Sequence, residues 1–158
     1  MSAEIHLIHG FMGFGKTTLA KQLEISLPAV RFTHDEIMLA RHGRTPDDFA
    51  KCYEEITQYI KNETIKEIAK GKNVILDFGF WDKQTRQEFY TWAKNLTDKV
   101  YFHALVCDID IAKSRILTRT KNNTDELYID ESCFNDRLKK FTPLSDDEGY
   151  NTIYHKAF

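Results

Sequence analysis

The chain has 158 residues, 42% hydrophobic and 29% charged, with a formal net charge of −2. That is enough apolar material for one domain, and the evenly mixed charges exclude a fibrous, collagenous or disordered chain. A pI near 6.3 argues against a dedicated duplex-DNA or membrane-surface binder, which carries a basic excess.

Short apolar runs alternate with longer amphipathic ones, the pattern of βαβ units around a parallel sheet. Residues 5–8 read as a first strand that ends in Gly10, Gly13 and Gly15. A helix over about 16–26 follows, stopped by Pro28, and residues 30–32 make a short second strand. Thr45, Pro46, Asp47 and Asp48 predict a helix start: a capping hydroxyl, a first-turn proline and carboxylates at the positive helix end. Phe49, Tyr53, Ile56, Ile60 and Ile68 keep one face of that helix apolar until Gly71 closes it. Residues 73–77 form a third strand ending in a carboxylate. Phe89, Trp92, Ala93 and Leu96 fall at helical spacing behind Asp82 or Thr85. A fourth strand over 100–107 leads to a helix capped by Asp108 or Asp110. A further helix over about 130–141 and a strand at 152–154 complete a single domain, 1–158.

No apolar run nears the roughly 20 residues of a membrane span, and the N-terminus lacks the features of a signal peptide. Cys52, Cys107 and Cys133 show no CxxC spacing, which fits reduced thiols in a cytoplasm. The six histidines fall at no metal-ligand spacing, and His34 reads as a surface residue.

Gly10-Phe11-Met12-Gly13-Phe14-Gly15-Lys16-Thr17 fits G-x-x-x-x-G-K-[ST] between a predicted strand and a predicted helix, with Thr18 following. Glycines there let successive N–H groups turn inward around phosphates, and the helix adds its positive end. Lys16 then reaches the β- and γ-phosphates, and the Thr17 hydroxyl ligates Mg²⁺. An N-K-x-D guanine reader is missing, which leaves ATP by elimination. Asp77-Phe78-Gly79 spells the magnesium triad of protein kinases, but H-R-D-x-x-x-x-N does not occur and the match is a coincidence.

Asp77 ends an apolar strand, where a carboxylate holds Mg²⁺ or its water; a helix cap is the competing reading. Asp35, just past the second strand, suits a base that orients an acceptor hydroxyl and takes its proton. Glu36 competes for that role, and the segment also reads as a helix start. Arg41 is a candidate for the acceptor pocket. Arg115 and Arg119 lie four apart on one helical face, aimed at charge on a transferred phosphoryl group or else at solvent. Phe80 and Trp81 cluster past Asp77 as an acceptor wall or as core.

With these pieces in order, the chain resembles small P-loop kinase-like ATPases of the group containing polynucleotide kinase, chloramphenicol phosphotransferase, zeta toxins and tunicamycin-resistance proteins. It is most similar to the bacterial AAA family ATPases of kinase type. Residues 10–18, 33–36 with Arg41, 74–81 with Arg86, Arg115 with Arg119, and 141–143 leading into 146–148 carry the likeness. The resemblance implies an α/β P-loop NTPase fold, with a five-stranded parallel sheet ordered 2-3-1-4-5 and helices on both faces. It also implies Asp35 as the acceptor-side base, Arg115 and Arg119 on a lid over ATP at about 112–128, and adenine near Arg119 and the loop after Phe141. One departure is that the arginine comes six residues after Asp35, not three as in polynucleotide kinase.

The expected activity is ATP- and Mg²⁺-dependent transfer of the γ-phosphate to a small-molecule hydroxyl, of antibiotic, nucleoside or sugar type. Acceptor choice is written in the 37–71 stretch. Alternatives are an ATP-binding regulatory module with a protein partner, a toxin acting on a sugar nucleotide, and a 5′-polynucleotide kinase. The expected partners are ATP and an unidentified small acceptor, to a monomer or dimer, without membrane or nucleic acid.

Overall fold

Ile5, Leu7 and Ile8 are wholly buried because β1 (Glu4–His9) is the middle strand of a sheet covered on both faces. The computed structural model describes residues 3–122 and 129–156. In chain order β1 is followed by α1 (Lys16–Ser26), β2 (Ala29–Phe32), α2 (His34–His42), α3 (Phe49–Ala69), β3 (Asn73–Gly79) and α4 (Lys83–Leu96). Then come β4 (Lys99–Val106), α5 (Ile109–Asn122), α6 (Glu131–Leu138), a 3₁₀ turn at Asp146–Glu148 and β5 (Thr152–Lys156).

The five strands are parallel in the order β2-β3-β1-β4-β5, with Ile5 level with Val74 on one side and Val100 on the other. Successive strand residues point to opposite faces, so the sheet feeds two cores. Ile5, Leu7, Val74 and Leu76 pack with Ile56, Ile60, Phe89 and Ala93 of α3 and α4. Ile8, Ile75 and Leu105 pack with Leu19, Ala112, Ile116 and Phe134 of α1, α5 and α6. Across the second face His6, His103 and His155 pass hydrogen bonds from β1 through β4 to β5, at 2.7 and 2.9 Å.

Helix boundaries depart from the sequence reading where a nearer group wins. Asp48, accepting from the Lys51 N–H at 3.2 Å, caps α3, so Thr45 and Pro46 stand upstream of the helix they were expected to open. Asp82 caps α4 through the Thr85 N–H at 2.8 Å. Asp108, not Asp110, takes the first amides of α5, those of Asp110 and Ile111. The last helix ends at Leu138 and not near Phe141, because the Thr142 N–H bonds the Trp81 carbonyl at 2.6 Å and draws the chain under β1.

Arg86 fixes that returning segment. Fully buried, its guanidinium takes both carboxylate oxygens of Glu148 at 2.9 and 3.1 Å, and donates to the carbonyls of Phe80 and Thr142. Among the described residues no helix is long and apolar enough to cross a membrane. The lid expected at 112–128 extends beyond the described residues at 123–128.

Candidate nucleotide and phosphoryl-transfer site

The glycine loop hangs between β1 and α1 and is held from below. The Gly10 N–H donates to the Gly79 carbonyl at 3.1 Å, and Phe14 closes a turn onto the Phe11 carbonyl at 3.2 Å. Gly15 sits left-handed at φ 94° immediately before α1. Gly13, at φ +80°, is pressed so close to α5 that a Cβ would lie 2.4 Å from the Ala112 carbonyl oxygen. Arg115 donates from α5 to the Gly13 carbonyl at 3.3 Å. The rings of Phe11 and Phe14 turn inward among Trp81, Phe134 and Phe141, so these two residues offer only backbone to a ligand.

His9 supports the same floor, a role the sequence did not mark. Its Nε2 accepts the Leu144 N–H at 3.0 Å, which places the proton on Nδ1, donating to the Gly79 and Phe80 carbonyls. Burial, with Arg86 nearby, holds the imidazole neutral by pushing its pKa down to about 4. Above it Phe80 adopts φ 51°, a costly conformation for a bulky residue, and its carbonyl is held by both His9 and Arg86.

A cavity of about 350 Å³ opens over the loop. Met12, Gly13, Gly15, Lys16, Thr17 and Thr18 line it from the nucleotide side, Asp35 and Glu36 from α2, Arg119 from α5 and Arg137 from α6. Thr17 donates to Asp77 Oδ2 at 3.4 Å, while Asp77 Oδ1 is buried with no hydrogen-bond partner among the described residues. Burial pushes the Asp77 carboxyl up, against the pull of Lys16. A hydroxyl beside a buried carboxylate with one unsatisfied oxygen is a hard-oxygen donor set that suits a divalent cation. Asp77 is a strand residue and caps no helix.

The two acidic candidates of α2 are not equivalent. Glu36 is paired with Arg31 at 3.0 Å, whereas Asp35 faces the cavity with no ion pair among the described residues.

Other expected site residues lie elsewhere. Phe80 is 2% exposed and packs on Phe78, Phe89 and Phe102; it is core, because its left-handed backbone turns the ring into the sheet. Trp81 lies beneath the glycine loop with its indole N–H on the Gly10 carbonyl, so it is no acceptor wall. Arg41 stacks on the Tyr59 ring at 4.7 Å, outside the residues that line the cavity. Arg115 braces the loop backbone from the side and does not line the cavity as its partner Arg119 does. His34 is buried, not superficial, stacked 3.9 Å from Tyr53 and bonded to Thr57. Arg137 and Lys21 line the cavity without having been anticipated. Arg137 belongs to no spacing motif and precedes Lys139 and Lys140, so nothing local marks it as a site residue.

A parallel 2-3-1-4-5 sheet with a glycine loop after its central strand, a lysine and threonine opening the next helix, and a carboxylate on the neighbouring strand defines a P-loop kinase-like nucleotide-binding domain. The family model described as AAA domain (AAA_33) matches residues 5–144, and the chain belongs to that family. No curated protein matches the chain at a significant level. Among solved structures, Chaetomium thermophilum Kti12 in complex with ADP-AlF3 is similar at TM-score 0.75 and 15% identity, over 96% of this chain and 87% of that one. A gluconokinase from Sinorhizobium meliloti 1021 is similar at TM-score 0.63 and 13% identity, over 99% and 83%. A chain of the Pnkp1/Rnl/Hen1 RNA repair complex is similar at TM-score 0.73 and 17% identity, over 88% of this chain and 44% of that one. At these identities the likeness concerns the fold.

Proposed function

We propose that the chain is an ATP- and magnesium-dependent phosphotransferase acting on a hydroxyl of a small molecule. One observation carries the reading: Asp35 lines the same cavity as Lys16, Thr17 and Arg119, without the arginine partner that neutralises Glu36. A carboxylate in that position can orient a nucleophilic hydroxyl toward the γ-phosphate. Thr17 and Asp77 would hold the magnesium ion, which neutralises phosphate charge when bound. The acceptor oxygen forms a bond to the γ-phosphorus as the bond to the β–γ bridging oxygen breaks, and ADP leaves with that electron pair. The acceptor proton passes to Asp35 and then to solvent. Lys16 and Arg119 face the charge that gathers on the phosphoryl oxygens. The chain acts as one domain in a reducing cytoplasm, with acceptor choice residing largely in α2 and α3 within 37–71 and Arg119 of α5 on the nucleotide side.

Transfer of labelled γ-phosphate from ATP to panels of sugars, nucleosides and antibiotics tests this reading. Asp35→Asn should lower transfer by on the order of 10²- to 10⁴-fold with ADP affinity unchanged. Lys16→Ala should weaken nucleotide binding by about ten- to a hundredfold. Undiminished transfer by Asp35→Asn removes the assigned base. Phosphate release to water alone, with every acceptor inert, removes the kinase.

A further inference from the structure

The arginines of this chain divide by what holds them. Arg86 is spent on Glu148, Arg31 on Glu36, Arg41 on the Tyr59 ring, Arg44 on the Thr120 carbonyl and Arg115 on the loop carbonyl. Two others line the cavity with no carboxylate partner among the described residues, Arg119 and Arg137. They come from opposite sides. Arg119 rises from α5, the helix packed against Gly13, and so belongs with the nucleotide. Arg137 leans from α6 across to the acceptor helices: its guanidinium lies 4.9 Å over the ring of Phe49, the first residue of α3, and 3.8 Å from the Met12 sulfur. Both of those contacts are soft and leave the guanidinium's strong donors unused.

Asp35 and Arg137 also meet at a common neighbour. Tyr53 of α3 has its phenol pushed up to about 12 by burial and by Asp35, while Arg137 pulls it the other way. The carboxylate that takes the acceptor proton and the uncommitted guanidinium both line the cavity, one from α2 and the other from α6. With Glu36 neutralised by Arg31, the acceptor end carries Asp35 for the hydroxyl and Arg137, which makes no ion pair among the described residues. A neutral acceptor would leave that arginine half-buried and unanswered, whereas a planar fork of donors matches carboxylate or phosphate.

We propose that Arg137 of α6 adds a specificity contact to the acceptor helices, and that the acceptor is an alcohol bearing a carboxylate or phosphate group near the hydroxyl that is phosphorylated. This rests on the phosphotransferase reading for the word acceptor, but the anion subsite can be measured without turnover.

The experiment uses matched probes, glycerol with glycerol 3-phosphate and glucose with gluconate, titrated calorimetrically into the chain loaded with ADP and magnesium, with transfer from labelled ATP measured in parallel. At least one anionic member should bind about tenfold or more tightly than its neutral partner. Arg137→Gln should abolish that difference while ADP affinity stays within about twofold, and Arg137→Lys should restore part of it. Circular dichroism of the variants checks that they are folded. Equal binding of charged and neutral members, or none by either, overturns the proposal. So does loss of ADP affinity in Arg137→Gln, which would assign the residue to the nucleotide. Arg137-dependent anion binding without transfer to any alcohol upholds the subsite and removes the kinase reading instead.

Discussion

The nucleotide half and the acceptor half of the cavity are built to different standards of rigidity. Under the glycine loop, four phenylalanine rings, His9, Trp81 and Arg115 brace the backbone, and Gly13 leaves no room for one methyl group. Across the cavity, α2 ends at Gly43, around which a Cβ would meet nothing within 4 Å, and Arg41 and Tyr59 stack on the surface. Phosphate is the same in every nucleotide, so its cradle can be stiff. The acceptor side offers a few directed side chains on helices with open surroundings, where composition can vary without disturbing the loop.

This contrast predicts a graded set of effects. Arg86→Met should be the most damaging, costing about 3–5 kcal/mol, because it strands the Glu148 carboxylate and removes one of the two donors that hold the strained Phe80 carbonyl beneath the loop. Urea unfolding measures it, and a cost under about 1 kcal/mol would show that the returning segment does not hold the loop. Gly13→Ala should cost about 3 kcal/mol and abolish ADP binding in calorimetry, since backbone at 2.4 Å cannot yield as a side chain would.

Acid should weaken both halves together. Burial depresses His9 to about 4 and His34 to about 3, so the unfolded chain binds more protons than the native one below the ordinary value of 6.5. Stability is therefore full above pH 6.5 and falls by about 1.4 kcal/mol per unit for each ring as the pH drops toward 4. Titration of the ring protons by NMR separates the halves, and a midpoint near 6.5 for either ring would show that side to be open to water. Gly43→Ala should cost least, roughly 1–2 kcal/mol, because its φ of +77° strains any side chain but nothing within 4 Å adds a clash. If it costs as much as Gly13→Ala, the acceptor half is as tightly packed as the loop and the contrast fails.

Much of the nucleotide half was legible in the sequence because its chemistry is local. The loop from Gly10 to Thr17 needs backbone freedom, one lysine and one hydroxyl at fixed spacing, and Asp77 needs only to end an apolar strand. Helix caps were less legible, since several neighbouring Asp and Thr residues can each cap and only geometry chooses. Asp48 over Thr45 and Asp108 over Asp110 are such cases. The acceptor half was the least legible, its residues open to either of two readings. Phe80 and Trp81 look like an apolar wall, yet a left-handed residue after Gly79 sends one ring into the sheet and the other beneath the loop. Arg41 follows Asp35 closely in sequence but faces the neighbouring helix.

By itself the sequence determined the alternation of strands and helices, the phosphate loop and the carboxylates at the strand ends, because periodicity and short spacing are properties of neighbouring residues. Only the tertiary structure decided which charges are committed. Arg31 takes Glu36 and leaves Asp35, and Arg86 takes Glu148 from 62 residues away. Arg137, 125 residues from Met12, is brought over the acceptor side of the cavity. Whether a charged group serves the fold or a ligand depends on which opposite charge the folded chain places beside it, and no local pattern encodes that.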